Sequence, residues 1–140
     1  MHDTIPSYIR ETIYALYCGT PITGELSPKL TFTDPLVRVQ DGPSNLKMFQ
    51  RLNAMFPHTD IVRFEPTRRG EERITFDFEV IYRRKLGQRG QRICSTLTVT
   101  GNGKEVTHIQ EDWKAPLRIK AESLTILHPL RRFFGKVCTL

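Results

Sequence analysis

Three groups of residues in this 140-residue chain have types and spacing that could support chemistry. The first lies in Val106-Thr107-His108-Ile109-Gln110-Glu111-Asp112-Trp113. In an extended segment His108, Gln110 and Asp112 fall on one face, and Thr107, Ile109, Glu111 and Trp113 on the other. An imidazole titrates near neutrality, so His108 in a pocket is a natural proton carrier with Asp112 as its partner and Gln110 as a hydrogen-bonding contact. His108 and Asp112 stand two same-face steps apart, each about 7 Å, so a direct bond needs water or a bulge. The plain alternative is a half-solvated strand. The second group centres on Asp34 in Leu30-Thr31-Phe32-Thr33-Asp34-Pro35. Its carboxylate reads either as a turn group accepting its neighbours' N–H groups or, if desolvated opposite a pair of donors, as a proton shuttle. The third is basic: Arg83, Arg84, Lys85, Arg89 and Arg92 flank one hairpin, with Arg68, Arg69 and Arg73 at a neighbouring turn. Such clusters can grip phosphates or stay a solvated surface. Beyond Tyr82 no aromatic residue is interleaved, so base stacking is unsupported. Gly87 and Gly90 do not follow a strand-to-helix step, which excludes a phosphate-binding loop.

Other chemistries are excluded. No Ser-His-Asp, Cys-His or nucleophile-elbow pattern is present. His2, His58 and His128 lack a carboxylate or thiol at ligand spacing, so no metal site is expected, and no cofactor. Cys18, Cys94 and Cys138 are odd in number and widely spaced, which argues against a disulfide framework and for a reducing compartment. Cys94, in mid-strand, is expected to be buried and inert.

These residues must be held by a small set of elements. Residues 5–18 read as an amphipathic helix, with Ile5, Ile9, Ile13 and Leu16 on one face, Tyr8 and Tyr17 beside them, and Gly19 and Pro21 as the stop. A short helical or irregular segment around 24–30 follows. Thr31–Thr33 and 36–40 suit short strands, and Asp41-Gly42-Pro43 a turn. A second helix, capped by Ser44 or Asn45, runs to about Phe56, burying Leu46, Phe49, Leu52 and Phe56 with Met48 and Met55 alongside. From residue 58 to 116 the pattern is sheet: a strand over 60–65, a charged turn over 68–72, and return strands over 91–100 and 105–114 joined at Gly101-Asn102-Gly103. Between them Ile74, Phe76, Phe78, Val80 and Tyr82 alternate with Thr75, Asp77, Glu79, Ile81 and Arg83, the strongest periodic signal in the chain. That apolar face reads either as a cavity wall or as plain core. Helices early and hairpins late imply an α+β domain. Leu130, Phe133 and Phe134 suggest a short helix packing back from the 117–140 tail.

Composition is that of an ordinary globular chain, 39% hydrophobic and 26% charged. The apolar runs are far shorter than the roughly 20 residues that span a bilayer. The net charge of +6 would favour an acidic partner or an anionic lipid surface without requiring either. The first residues carry no basic n-region before an apolar stretch, so a cytoplasmic protein is expected, or an organellar one if a precursor segment is missing.

The order of elements, with Tyr14-Ala15-Leu16-Tyr17-Cys18-Gly19, the Asp34-Pro35 step, the turn at Gly42 and the closing Val106–Trp113 segment, resembles the NTF2-like superfamily (nuclear transport factor 2, SnoaL-type cyclases, ketosteroid isomerase) over roughly residues 5–116. The resemblance implies helices packed on a strongly curved antiparallel sheet, forming a cone with a pocket at its open end. It implies a domain over 1–116 followed by the tail, and a homodimer through the outer sheet face. In the isomerase branch the Asp of the Asp-Pro step is the general base, which maps to Asp34. A helix-1 Tyr that stabilises the enolate maps to Tyr14 or Tyr17, and Ser95 stands where that branch has a second, acidic donor. The function expected is binding of a small apolar ligand or a partner in the pocket, with Tyr14, Tyr17, Phe76, Phe78, Tyr82, Ser95 and Gln110 as contacts. One alternative is a SnoaL- or isomerase-type enzyme in which Asp34, His108 and Asp112 transfer protons. Another is a basic module that meets an acidic protein, nucleic acid or lipid.

Overall fold

The computed structural model describes residues 5–22, 24 and 26–114. The expected tail helix lies outside the described residues. Two helices, α1 (Ser7–Cys18) and α2 (Gly42–Met55), accompany six strands: β1 (Thr31–Thr33), β2 (Arg38–Gln40), β3 (Asp60–Arg69), β4 (Arg73–Tyr82), β5 (Gln91–Gly101) and β6 (Val106–Trp113). They form one sheet in the order β2-β1-β6-β5-β4-β3. The sheet is mixed rather than antiparallel as expected. β1 runs parallel to β6, with Phe32 opposite Ile109, so the chain's first strand completes the edge of its last. Strand β1 thus gains a second ladder beside the one it shares with β2, a pair of three-residue strands that would be marginal alone.

Helix α1 forms where the 3.6-residue stripe predicts. Ile9, Ile13, Leu16 and Tyr17 are buried, and the chain leaves through Gly19 in the left-handed conformation (φ 71°), which only glycine adopts without cost. Helix α2 begins two residues before the expected cap. Asp41, not Ser44 or Asn45, is the N-cap, and its Oδ1 accepts the Ser44 N–H at 2.7 Å. Pro43 sits in the first turn, where its missing N–H loses no helical bond. The buried face also differs from the one expected. Leu46 is exposed, and Asn45 takes the interior place, its Nδ2 2.9 Å from Leu30 O and 3.1 Å from Val39 O. Asn45 thereby ties α2 to the strands on either side of Asp34. No helix forms around 24–30 among the described residues.

The long strands keep the period-two pattern. Strand β4 buries Ile74, Phe76, Phe78 and Val80, and β5 opposes them with Val99, Leu97, Ser95 and Ile93. Strand β3 extends to Arg69, beyond the expected 60–65, with register breaks after Ile61 and Pro66 that leave much of it exposed. The helices cover the inner face. Tyr17 meets Phe49 at 5.0 Å and Phe78 edge-on at 4.9 Å between ring centroids. The outer face is polar, carrying pairs such as Lys114 with Asp77 and Arg92 with Glu79. Cys94 lies there too, exposed rather than buried as expected, its thiol donating to Glu79 Oε1 at 3.2 Å. The phase of β5 sends Ile93 and Ser95 inward, so Cys94 between them must point out.

Candidate functional site

The phase of β6 decides the site. Ile109 and Glu111 face the helices and are buried, while Gln110 and Asp112 are exposed on the opposite face. Glu111 is only 4% exposed. A carboxyl group in that position must be neutral or hydrogen-bonded. It is bonded: the Tyr17 hydroxyl, brought from the last turn of α1, donates to Glu111 Oε1. Burial raises the Glu111 pKa from 4.5 to about 7; the Tyr17 bond opposes the rise and the charge of Asp34 adds to it. Tyr17 is itself pushed well above the usual phenol value, chiefly by burial and next by the charge of Glu111. Ser95 and Trp113 carry donors on the same side and also favour the charged carboxylate, though Ser95 Oγ, fully buried, reaches no hydrogen-bond partner.

Asp34 stands at the end of β1, across the site from α1. It makes the turn expected of it: the Leu36 and Val37 N–H groups both donate to Oδ1, at 2.8 Å each. Burial nevertheless raises its pKa, with those two bonds acting the other way. Asp34, Glu111 and Tyr17 line one cavity together with Phe32, Phe49, Leu52, Tyr82, Ile93 and Trp113. The cavity volume is about 20 Å³, and the unfilled space comes to about 350 Å³ when its open mouth is included. The smaller figure is a little more than one water needs, so a larger guest must displace a wall side chain. Among the described residues neither carboxylate has a cationic partner; the ion pairs Arg83–Asp60, Arg92–Glu79 and Lys114–Asp77 all lie elsewhere. No group of three metal-ligating side chains occurs among the described residues.

The expected site residues are therefore divided. Asp34, Tyr17 and Tyr82 line the cavity, and Ser95 borders Glu111. Phe76 and Phe78 are core residues packed on Phe64 at 4.5 and 5.6 Å between centroids. Tyr14 is half-buried beside Phe64, its ring centroid 6.4 Å away. His108 is not brought to Asp34. It lies near the edge, its Nε2 3.3 Å from Thr33 Oγ1, and burial with the charges of Arg38 and Arg73 lowers its pKa. Gln110 Nε2 donates to Asp112 Oδ2 at 2.9 Å on the exposed face. In the basic group Arg83 pairs with Asp60 and Arg92 with Glu79, while Arg84 lies 5.7 Å from the Phe56 ring centroid. Arg84 and Arg89 border a second, open cavity of about 440 Å³ that shares Tyr82 with the first.

Sequence reasoning missed Glu111, Trp113, Phe32, Phe49, Leu52 and Ile93. A signal for the first two was present. Of the two faces of β6, Thr107, Ile109, Glu111 and Trp113 make the more apolar set, and the more apolar face of a half-buried strand is the inward one. Glu111 must then be buried with its partners.

The sequence matches no family model and no curated protein. Solved structures share the fold. One is an NTF2-like protein of unknown function from Cytophaga hutchinsonii, 12% identical, covering 81% of this chain and 93% of that one at TM-score 0.57. A second is a protein with a ketosteroid isomerase-like fold from Catenulispora acidiphila, solved with trimethylamine, 15% identical over 86% of this chain and 94% of that one at TM-score 0.61. A third, a candidate SnoaL-like polyketide cyclase from Jannaschia, is 14% identical over 88% and 98% at TM-score 0.59. The α+β fold is thus NTF2-like across most of the chain. Identities this low carry the architecture and no activity. No helix among the described residues is long and apolar enough to cross a membrane.

Proposed function

We propose that the protein binds a small, largely apolar molecule bearing one polar group, in the cavity between α1, α2 and the sheet. Glu111, Tyr17 and Asp34 form the polar pole of that site, and Phe32, Phe49, Leu52, Ile93 and Trp113 its apolar wall. The observation that carries the reading is the burial of the Glu111–Tyr17 pair against this cavity with Asp34 on the other side. A few convergent polar groups in an apolar concavity are what a small-molecule site requires. A core built for stability alone would be better served by apolar residues of the same volume. That a protein of this fold was solved with a molecule as small as trimethylamine sets the scale of guest to try first.

Trp113 is the only tryptophan in the chain, so its emission reports on the cavity directly. Titration with cyclopentanone should shift that emission saturably, and Leu52→Phe, which fills the wall, should abolish the response. A linear response, or one unaltered by Leu52→Phe, refutes the reading. A second reading, proton transfer on a bound carbonyl compound, is favoured by the raised pKa of Asp34. Its partners would then be Tyr17 and Glu111 in place of His108 and Asp112. Asp34→Asn should abolish solvent-deuterium exchange at the carbons next to the carbonyl even at ligand concentrations that saturate the Trp113 response.

A further inference from the structure

The wall of the cavity is largely aromatic, and among the described residues its ionisable side chains are acids and phenols. The net charge of the chain is +6, yet no Lys, Arg or His among the described residues lines the space that Asp34 and Glu111 share. Every described ion pair is placed outside it. Ser95 adds an independent sign. It is fully exposed to no solvent, its Oγ has no partner, and it lies directly opposite Trp113 in the β5–β6 register, hence on the cavity side of the sheet. The Ser95 hydroxyl can turn its proton to Glu111, and its lone pairs then stay open to an N–H from a guest. Both described hydrogen bonds of Asp34 fall on Oδ1, which leaves Oδ2 for a guest.

We propose that the molecule held here is a small organic ammonium ion, its N–H groups directed to Glu111, Asp34 and Ser95 and its alkyl groups against the rings of Tyr17, Phe49 and Trp113. This rests on the cavity being a small-molecule site, and adds the charge of its ligand. Four requirements are met by one group. An ammonium can donate to the open lone pairs of Ser95. Its single positive charge offsets the repulsion between the two carboxylates. Its alkyl surface is attracted to the negative faces of aromatic rings. The charge-assisted bonds it makes are about twice as strong as neutral ones. A neutral carbonyl compound answers none of the first three, and a carboxylate opposes the second.

Three probes of one shape and different charge separate the cases: tert-butylammonium, tert-butanol and pivalate, each titrated against the full chain with Trp113 emission as the readout. The expected order is tert-butylammonium first, roughly tenfold tighter than tert-butanol, the size of one good polar contact, with pivalate weakest. Glu111→Gln and Asp34→Asn, each checked to unfold in one cooperative transition, should reduce the preference for the cation over the alcohol to about twofold or less. Equal binding of ammonium and alcohol, or tighter binding of pivalate, overturns the cation assignment and leaves the small-molecule site standing. A preference for the cation that survives both variants also overturns it, because the charge would then be read elsewhere. Absence of binding by all three removes both readings together.

Discussion

Replacing Glu111 by Gln should make the protein more stable above neutral pH and leave it nearly unchanged in mild acid. Gln keeps the size of the side chain and an oxygen to accept the Tyr17 hydroxyl, and removes only the ionisation. In the folded protein the carboxyl titrates at about 7, against 4.5 for a free side chain. The folded state therefore holds the Glu111 proton more tightly than the unfolded chain does. Its contribution to stability is fully present below about pH 4.5, falls as the pH rises, and levels off above about 7. At about 1.4 kcal/mol per pH unit the loss comes to about 3 kcal/mol. Asp34, also raised, remains in both proteins, so it largely cancels in the comparison. Urea unfolding of wild type and Glu111→Gln at intervals from pH 4.5 to 9 gives the difference directly. The two should agree to within about 1 kcal/mol at the acid end, the margin of one altered hydrogen bond, and the variant should lead by about 3 kcal/mol at the alkaline end. A gap that does not change with pH refutes the argument. So does a wild type that gains on the variant as the pH rises, since that is the behaviour of a carboxylate ionised and paired in the fold.

Tyr17→Phe removes the donor that favours the Glu111 carboxylate, so the Glu111 midpoint, read from its carboxyl carbon by NMR, should move further up, and stability at neutral pH should fall by about 1–3 kcal/mol. Asn45→Ala removes the amide that bonds the Leu30 and Val39 carbonyls and should cost about 1–3 kcal/mol in urea unfolding, with loosening of Asp34 seen as faster amide exchange at Leu36 and Val37. His108→Ala lies on the wrong face of β6 and should leave the Trp113 response to cyclopentanone unchanged, whereas a loss of response would return His108 to the site.

Much of the fold could be read locally. Strand β4 announces itself because apolar and polar residues alternate from Arg73 to Val80, and α1 because its apolar stripe ends at Gly19. What could not be read were features set by distant parts of the chain. The parallel pairing of β1 with β6 joins residues about 77 apart, Thr31 with His108, and no local pattern records it. The start of α2 turned on Asp41, whose positive φ of 86° makes it look like a turn residue while its carboxylate acts as the cap. Asn45 stands inside where Leu46 was expected, its amide bonding the Leu30 and Val39 carbonyls, partners that no local pattern records. The site suffered most from phase. Asp34 and Tyr17 were legible as chemistry-bearing residues, but one residue's shift along β6 exchanges His108 and Asp112 for Glu111 and Trp113. Both faces carry an acid, so charge could not choose between them; only Ile109 and Trp113 pointed to the inward one.

The most direct test of the account is where a small guest sits. With methyl-labelled protein and unlabelled cyclopentanone, nuclear Overhauser contacts from the ligand should appear at Leu52 and Ile93, beside the Trp113 indole. Contacts confined to the open cavity near Arg84 and Arg89, or no contacts at saturating ligand, would contradict it.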